Sequence, residues 1–167
     1  MGKEKEQFEQ IFLEYSDAIY RHLYYRLGNQ DRAKELTQEV FMRFWQQLAS
    51  GQQIVFEKAF LYKIAHNLFI NEIRTDKTTY SLDNMIEETG FDVASGEDTP
   101  EVFTEHQELM RYLAKLTDSY KAVLVMRYID GLPVKEIAKL LSESETNISM
   151  RVSRALDKLR EIYKQKT

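Results

Sequence analysis

The apolar residues of the first half of the chain recur at helical spacing. Phe8, Ile11, Phe12, Tyr15, Ile19, Leu23 and Leu27 follow at three- and four-residue steps and predict a long amphipathic helix. Gly28-Asn29 stops it, and Asp31 is placed to cap the next helix. Ala33, Leu36, Val40, Phe41, Phe44, Trp45 and Leu48 form a second stripe, broken by Ser50-Gly51-Gln52-Gln53. A third helix is predicted from Glu57 to Arg74, with Phe60, Leu61, Ile64, Ala65, Leu68 and Phe69 turned inward. Helices with such stripes pack as a bundle. By the same periodicity the aromatic cluster Phe41, Phe44, Trp45, Phe56, Phe60, Tyr62 and Phe69 is mostly core.

Between Thr75 and Thr99 the periodicity fails. The stretch is polar and acidic, is punctuated by Gly90, Gly96 and Pro100, and reads as a linker with little core of its own. Helical spacing resumes near Glu101 and runs through Leu109, Leu113 and Leu116. Another helix is predicted from Ser119 to Ile129, ended by Asp130-Gly131-Leu132-Pro133. A short helix, Val134 to Leu141, packs through Ile137, Ala138 and Leu141. The turn Ser142-Glu143-Ser144-Glu145 follows, with serines able to cap a last helix that buries Ile148, Val152, Ala155, Leu156 and Leu159. Two helices joined by so short a turn form a helix-turn-helix, whose second helix fits a DNA major groove. The expected fold class is all-α, with two small helical domains, residues 1–75 and 109–167, joined by a flexible acidic linker, 76–108.

Charge changes the picture more than composition does. The chain of 167 residues has a formal charge of −4, unhelpful for a nucleic-acid binder. Divided along the sequence, the first 75 residues are neutral, residues 76–108 carry −9 and residues 109–167 carry +5. The average hides a basic tail behind an acidic connector. With no cysteine, disulfides, thiolate metal sites and cysteine nucleophiles are excluded. No apolar run reaches the roughly 18 residues of a membrane span, and MGKEKEQFEQ lacks the apolar core of a secretory signal. A soluble, cytoplasmic protein without membrane insertion is expected.

Catalytic chemistry finds little support. Glu35 and Glu39 stand one turn apart, but no Glu-x-x-His pair accompanies them, and no HExxH, GxSxG, phosphate-binding or dinucleotide motif occurs. No cofactor and no metal site are expected, and the chain is not expected to be an enzyme. The last helix carries Asn147, Ser149, Arg151, Arg154 and Lys158 on its outer side, with Thr146 at its start. Arginine pairs bidentately with guanine and asparagine with adenine, while lysine and serine reach phosphates. Glu143 and Glu145 lie near the helix start, where they complement its dipole. In the first half, the loop Ser50–Gln53 and the face with Lys63, His66, Asn67, Asn71 and Arg74 are the better candidates for nucleic-acid contact.

Three motifs then occur in order: DRAKELTQEVFMRFWQQL at 31–48, FLYKIAHNLFINEIR at 60–74 and YKAVLVMRYIDGLPVKEIAKLLSESETNISMRVSRALDKLRE at 120–161. Together they cover well over half of the chain, and the sequence resembles the bacterial sigma factors of RNA polymerase, of the extracytoplasmic-function (ECF) type. The resemblance implies a region 2 bundle and a region 4 helix-turn-helix. It implies docking on core RNA polymerase through Asp31, Glu35, Gln38, Glu39 and Phe41. It implies recognition of the melted minus-ten element of promoter DNA by Ser50, Gln52, Gln53, Lys63, His66, Asn67, Asn71 and Arg74, with Asn67 foremost in holding an unpaired base. Thr146, Asn147, Ser149, Arg151, Arg154 and Lys158 would meet the minus-thirty-five element. An anti-sigma factor is a common partner in the family and a candidate here. Two departures stand out: Ser149 where a basic residue is frequent, and Lys34 where an acidic one is common. The alternatives are a stand-alone helix-turn-helix regulator and a sigma-like protein that binds polymerase without promoter activity.

Overall fold

Gly28 sits in the left-handed region at φ +72°, which a residue without Cβ occupies without strain. Its N–H donates to the Tyr24 carbonyl at 2.8 Å and closes α1, Gly2–Leu27. The computed structural model describes residues 2–76 and 100–166. The cap of α2, Gln30–Ala49, is Asn29 rather than the expected Asp31. Asn29 Oδ1 accepts from the Arg32 N–H at 3.0 Å, while Asp31 lies inside the first turn, where it favours the helix dipole. α3, Glu57–Asp76, completes a three-helix unit around Leu23, Phe44, Leu61 and Phe69. Phe8 of α1 meets the rings of Phe41, Phe44 and Trp45 edge-on or stacked. Phe56 is not core: it stands just before α3 and is 80% exposed, because the loop reaches the helix outside the bundle.

The second half begins earlier than the domain boundary at 109. α4 runs Pro100–Ala114, with proline at the first position, where its missing N–H is no loss. Residues 100–108 are therefore helical, and Tyr25 Oη lies 2.7 Å from His106 Nδ1. The remainder of the acidic linker, 77–99, lies outside the described residues. α5, Asp118–Leu124, is capped by Thr117 and continues into a π-helical turn, Val125–Ile129, in place of a uniform helix. α6, Val134–Leu141, ends at Ser142, which takes the left-handed conformation at φ +56°. The Glu143 N–H then reaches back to the Ala138 carbonyl at 2.9 Å. Of the two serines in this turn, Ser144 caps α7, Glu145–Lys166, accepting from the Asn147 N–H at 3.1 Å. Ile148, Val152 and Ala155 bury the inner face of α7.

Charged groups tie the halves together. His22 of α1 meets Asp130 at 2.6 Å (Nδ1 to Oδ2), with the two side chains 0% and 1% exposed. Burial holds His22 below its ordinary pKa, against the pull of Asp130, so the ring is neutral near pH 7. Its Nδ1–H donates to the carboxylate, and Nε2, with no polar partner among the described residues, carries the lone pair. One turn on, Arg26 is 4% exposed, lies 3.7 Å over the Phe69 ring and donates to His66 Nδ1 at 3.0 Å. Burial pulls Arg26 down to about 9, while Asp130 and Asp118 of the other half oppose the shift. His66 is pulled down to about 3, by burial first and Arg26 second. Lys63 Nζ donates to the Leu140 carbonyl at 3.1 Å, joining α3 to α6.

Candidate polymerase and nucleic-acid interfaces

The polar side of α2 is an ordered array of ion pairs. Arg32 grips both oxygens of Glu72 on α3 at 2.5 Å and also binds Glu35. Further along α2, Arg43 holds Glu39, four residues before it, at 2.9 Å. Asp31, Glu35 and Gln38 are exposed and Glu39 half-buried, so these four share one accessible face with Lys34. Phe41 does not belong to it. At 3% exposure, packed on Phe12 at 5.0 Å between ring centres, it points into the core.

Between α2 and α3 the surface opens into a groove of about 500 Å³, lined by Glu39, Met42, Arg43, Gln46, Gln47, Phe60, Ile64 and Asn67. Its α3 wall is a helical stripe, Phe60, Ile64 and Asn67, that presents apolar surface and then an exposed carboxamide. Such a groove offers a flat apolar wall for a ring and amide donors and acceptors for its edge. Of the candidate residues on this side, the groove takes in Asn67 and Glu39. Lys63 and His66 are turned toward the second half by the contacts already described. Asn71 and Arg74 bind one another at 2.8 Å near the exposed end of α3. Ser50 Oγ donates to the Gln47 carbonyl at 2.7 Å, finishing α2, while Gln52 and Gln53 are exposed in the following loop. Met42, Arg43, Gln46 and Gln47 escaped sequence reasoning. Their i+3, i+4, i+7 and i+8 spacing from Glu39 is the signal that places them on one face with it.

On α7, Asn147, Arg151, Arg154 and Lys158 fall at four-, three- and four-residue steps and form one stripe. Ser149 lies on the other flank. Thr146, Asn147, Ser149, Arg154 and Lys158 are exposed. Arg151 is only partly exposed, because its guanidinium is held by Glu143 at 2.5 Å. Glu143 therefore braces the helix-turn-helix from the turn, rather than serving only the helix dipole.

Comparison with known proteins falls on both surfaces. Sigma-70 region 2 matches residues 11–79, and Sigma-70 region 4 matches residues 106–159. The ECF RNA polymerase sigma factor SigW of Bacillus subtilis is 30% identical over 166 residues, covering 94% of this chain and 89% of SigW. The chain belongs to the ECF RNA polymerase sigma factors. RNA polymerase sigma factor YlaC, also of Bacillus subtilis, is 29% identical over 157 residues, covering 92% of this chain and 90% of YlaC. The solved structure of the sigma factor RpoE in complex with the anti-sigma factor NepR, from Bartonella quintana, shares the fold. Its TM-score is 0.74 at 21% identity, covering 95% of this chain and 98% of RpoE. As a sigma factor the protein binds core RNA polymerase and directs initiation from promoter DNA. Region 2 takes in the α2 face and the groove, and region 4 takes in the helix-turn-helix. Among the described residues, no helix is long and apolar enough to cross a membrane.

Proposed function

We propose that this ECF sigma factor divides its work between the two halves. Residues 1–75 dock on core polymerase through Asp31, Glu35, Gln38 and Glu39, and take an unpaired minus-ten base into the α2–α3 groove. The second half, from Pro100 onward, reads the minus-thirty-five element through Asn147, Arg154 and Lys158, with the acidic segment 77–99 connecting the two. The observation that carries this reading is the groove, which seats the Asn67 carboxamide beside apolar Phe60 and Ile64. A base needs both elements, an apolar surface under its ring and hydrogen-bonding groups at its edge. Two modest DNA contacts on one chain gain avidity once polymerase fixes their spacing. The chain itself makes and breaks no covalent bond, because polymerase supplies that chemistry in the cytoplasm. A protein partner of the anti-sigma kind fits the same reading, since the RpoE structure is a complex with one.

In vitro transcription with purified core polymerase tests the division. New start sites are expected only when the protein is added. Asn67→Ala should abolish discrimination at one minus-ten position, and Arg154→Ala at one minus-thirty-five position, each by roughly 5- to 150-fold. If Asn67→Ala ranks every minus-ten variant as the wild type does, the groove reading is wrong. Association with core and no transcripts would instead favour a sigma-like decoy.

A further inference from the structure

The side chain of Glu143 is not needed to build the turn it stands in. Its backbone N–H closes α6 on the Ala138 carbonyl at 2.9 Å, behind the left-handed Ser142. The start of α7 is capped by Ser144, whose Oγ accepts the Asn147 N–H at 3.1 Å. The Glu143 carboxylate instead accepts from the guanidinium of Arg151, eight residues on, at 2.5 Å between Oε1 and Nη2. Backbone on α6 and side chain on α7, Glu143 is anchored at both ends.

The place of Arg151 on α7 says which part of DNA this pair concerns. At about 100° per residue, Met150 lies opposite the buried line Ile148, Val152 and Ala155, and it is 45% exposed. It marks the middle of the outward face, with Asn147 one turn before and Arg154 one turn after. Arg151 stands at the margin, beside the buried line, and its side chain is 24% exposed. In a helix seated in the major groove, the middle of the face meets base edges and the margins meet the sugar-phosphate walls. A marginal arginine therefore suits a phosphate, a contact that adds affinity and no sequence information. Here a carboxylate already holds it. Glu143 offers the charge-assisted bond that a phosphate oxygen would, without the entropy cost of bringing in a second molecule.

We propose that Glu143 withholds Arg151 from the DNA backbone, so that region 4 binds with one sequence-blind contact fewer and depends more on Asn147 and Arg154. This rests on the reading of α7 as the minus-thirty-five helix and adds a restraint within it. Glu143 is a positioning residue that acts through Arg151. Promoters with poor minus-thirty-five elements are then left unused, because no extra phosphate contact makes up for the missing base contacts.

Holoenzyme reconstituted with core polymerase is titrated onto a duplex carrying only the minus-thirty-five element of the start sites mapped above, and onto a scrambled duplex, between roughly 50 and 200 mM salt. Glu143→Gln keeps the shape and removes the charge. It should tighten binding to both duplexes, by roughly 10-fold at the low salt and roughly 3-fold at the high. One added phosphate contact steepens the slope of log affinity on log salt by about 0.9. Arg151→Ala alone should keep the wild-type slope, and combined with Glu143→Gln it should cancel the gain. A brace that only shapes the turn gives the opposite sign, weaker binding in both single variants, and that result would overturn the proposal. So would a slope flattened by about 0.9 in Arg151→Ala, since Arg151 would then already touch phosphate. A gain in Glu143→Gln that survives Arg151→Ala would overturn it in favour of plain repulsion between Glu143 and DNA. If Asn147→Ala and Arg154→Ala weaken the specific duplex while Glu143→Gln is silent, the restraint is wrong and the minus-thirty-five reading stands. If all three are silent, both readings fall.

Discussion

Asp130 is the carboxylate on which the buried contact between the halves turns, and removing it gives a quantitative test. It lies 2.6 Å from His22, with both side chains out of water, and it heads the charges that oppose the desolvation of Arg26. Asp130→Ala would leave a neutral histidine without its acceptor and a guanidinium with the weaker influence of Asp118 to balance it. Breaking a buried charged pair by deleting one partner costs about 3–5 kcal/mol. Asp130→Asn keeps an acceptor for the histidine N–H and loses only the charge, so it should cost less. His22 and Arg26 belong to the half that does not own Asp130, so the loss should weaken docking of the halves before it unfolds either. Thermal unfolding of Asp130→Ala should drop by about 6–20 °C or split into two transitions. Because the chain has no cysteine, Lys34→Cys and Lys135→Cys supply two clean dye sites on opposite halves. Energy transfer between them should fall and broaden in Asp130→Ala. Unchanged transfer, together with a loss below about 1 kcal/mol, would refute the assignment of the interface to this network.

Acid should act on the same network. His22 and His66 are both held below the ordinary value of 6.5. The unfolded chain therefore takes up protons that the folded chain refuses, and stability is full above 6.5 and falls as pH is lowered, for His66 until about 3. Urea midpoints at pH 7.5 and 5.0 should show this slope, flattened in His66→Gln. Asn29→Ala should cost about 1 kcal/mol in the same assay by removing the α2 cap. Ser142→Gly should gain up to about 1 kcal/mol by relieving a left-handed residue, and a loss on that substitution would contradict the conformation described.

Much of this architecture is legible in periodicity. The helix over 134–141 and the inner face of α7 follow from spacing alone, because each stripe has one solution that buries it. Caps are less legible. Asp31 and Asn29 are both good cap residues two positions apart, and the choice depends on where Gly28 turns the chain. Phe56 escapes periodicity because a stripe continues in sequence past the point where the helix leaves the bundle. The groove lies across two helices, so no single stripe announces it, and only the side carrying Asn67 could be named. Arg151 reads as a free cation until the turn brings Glu143 beside it. The buried histidine and arginine of α1 are invisible from sequence, since their hydrogen-bond partners lie 108 and 40 residues away.

The π-helical turn at Val125–Ile129 has a consequence for how Asp130 is aimed. Its N–H bonds the Val125 carbonyl, five residues back instead of four, which is equivalent to one residue inserted into an α-helix. Deleting any one residue of that turn would restore ordinary winding and swing the downstream chain by about 100°. The carboxylate would then face away from His22, although its own identity and its neighbours' would be unaltered. Its direction is set by a count of residues, so a single-residue deletion there could unfasten the two halves while leaving each half's own core intact.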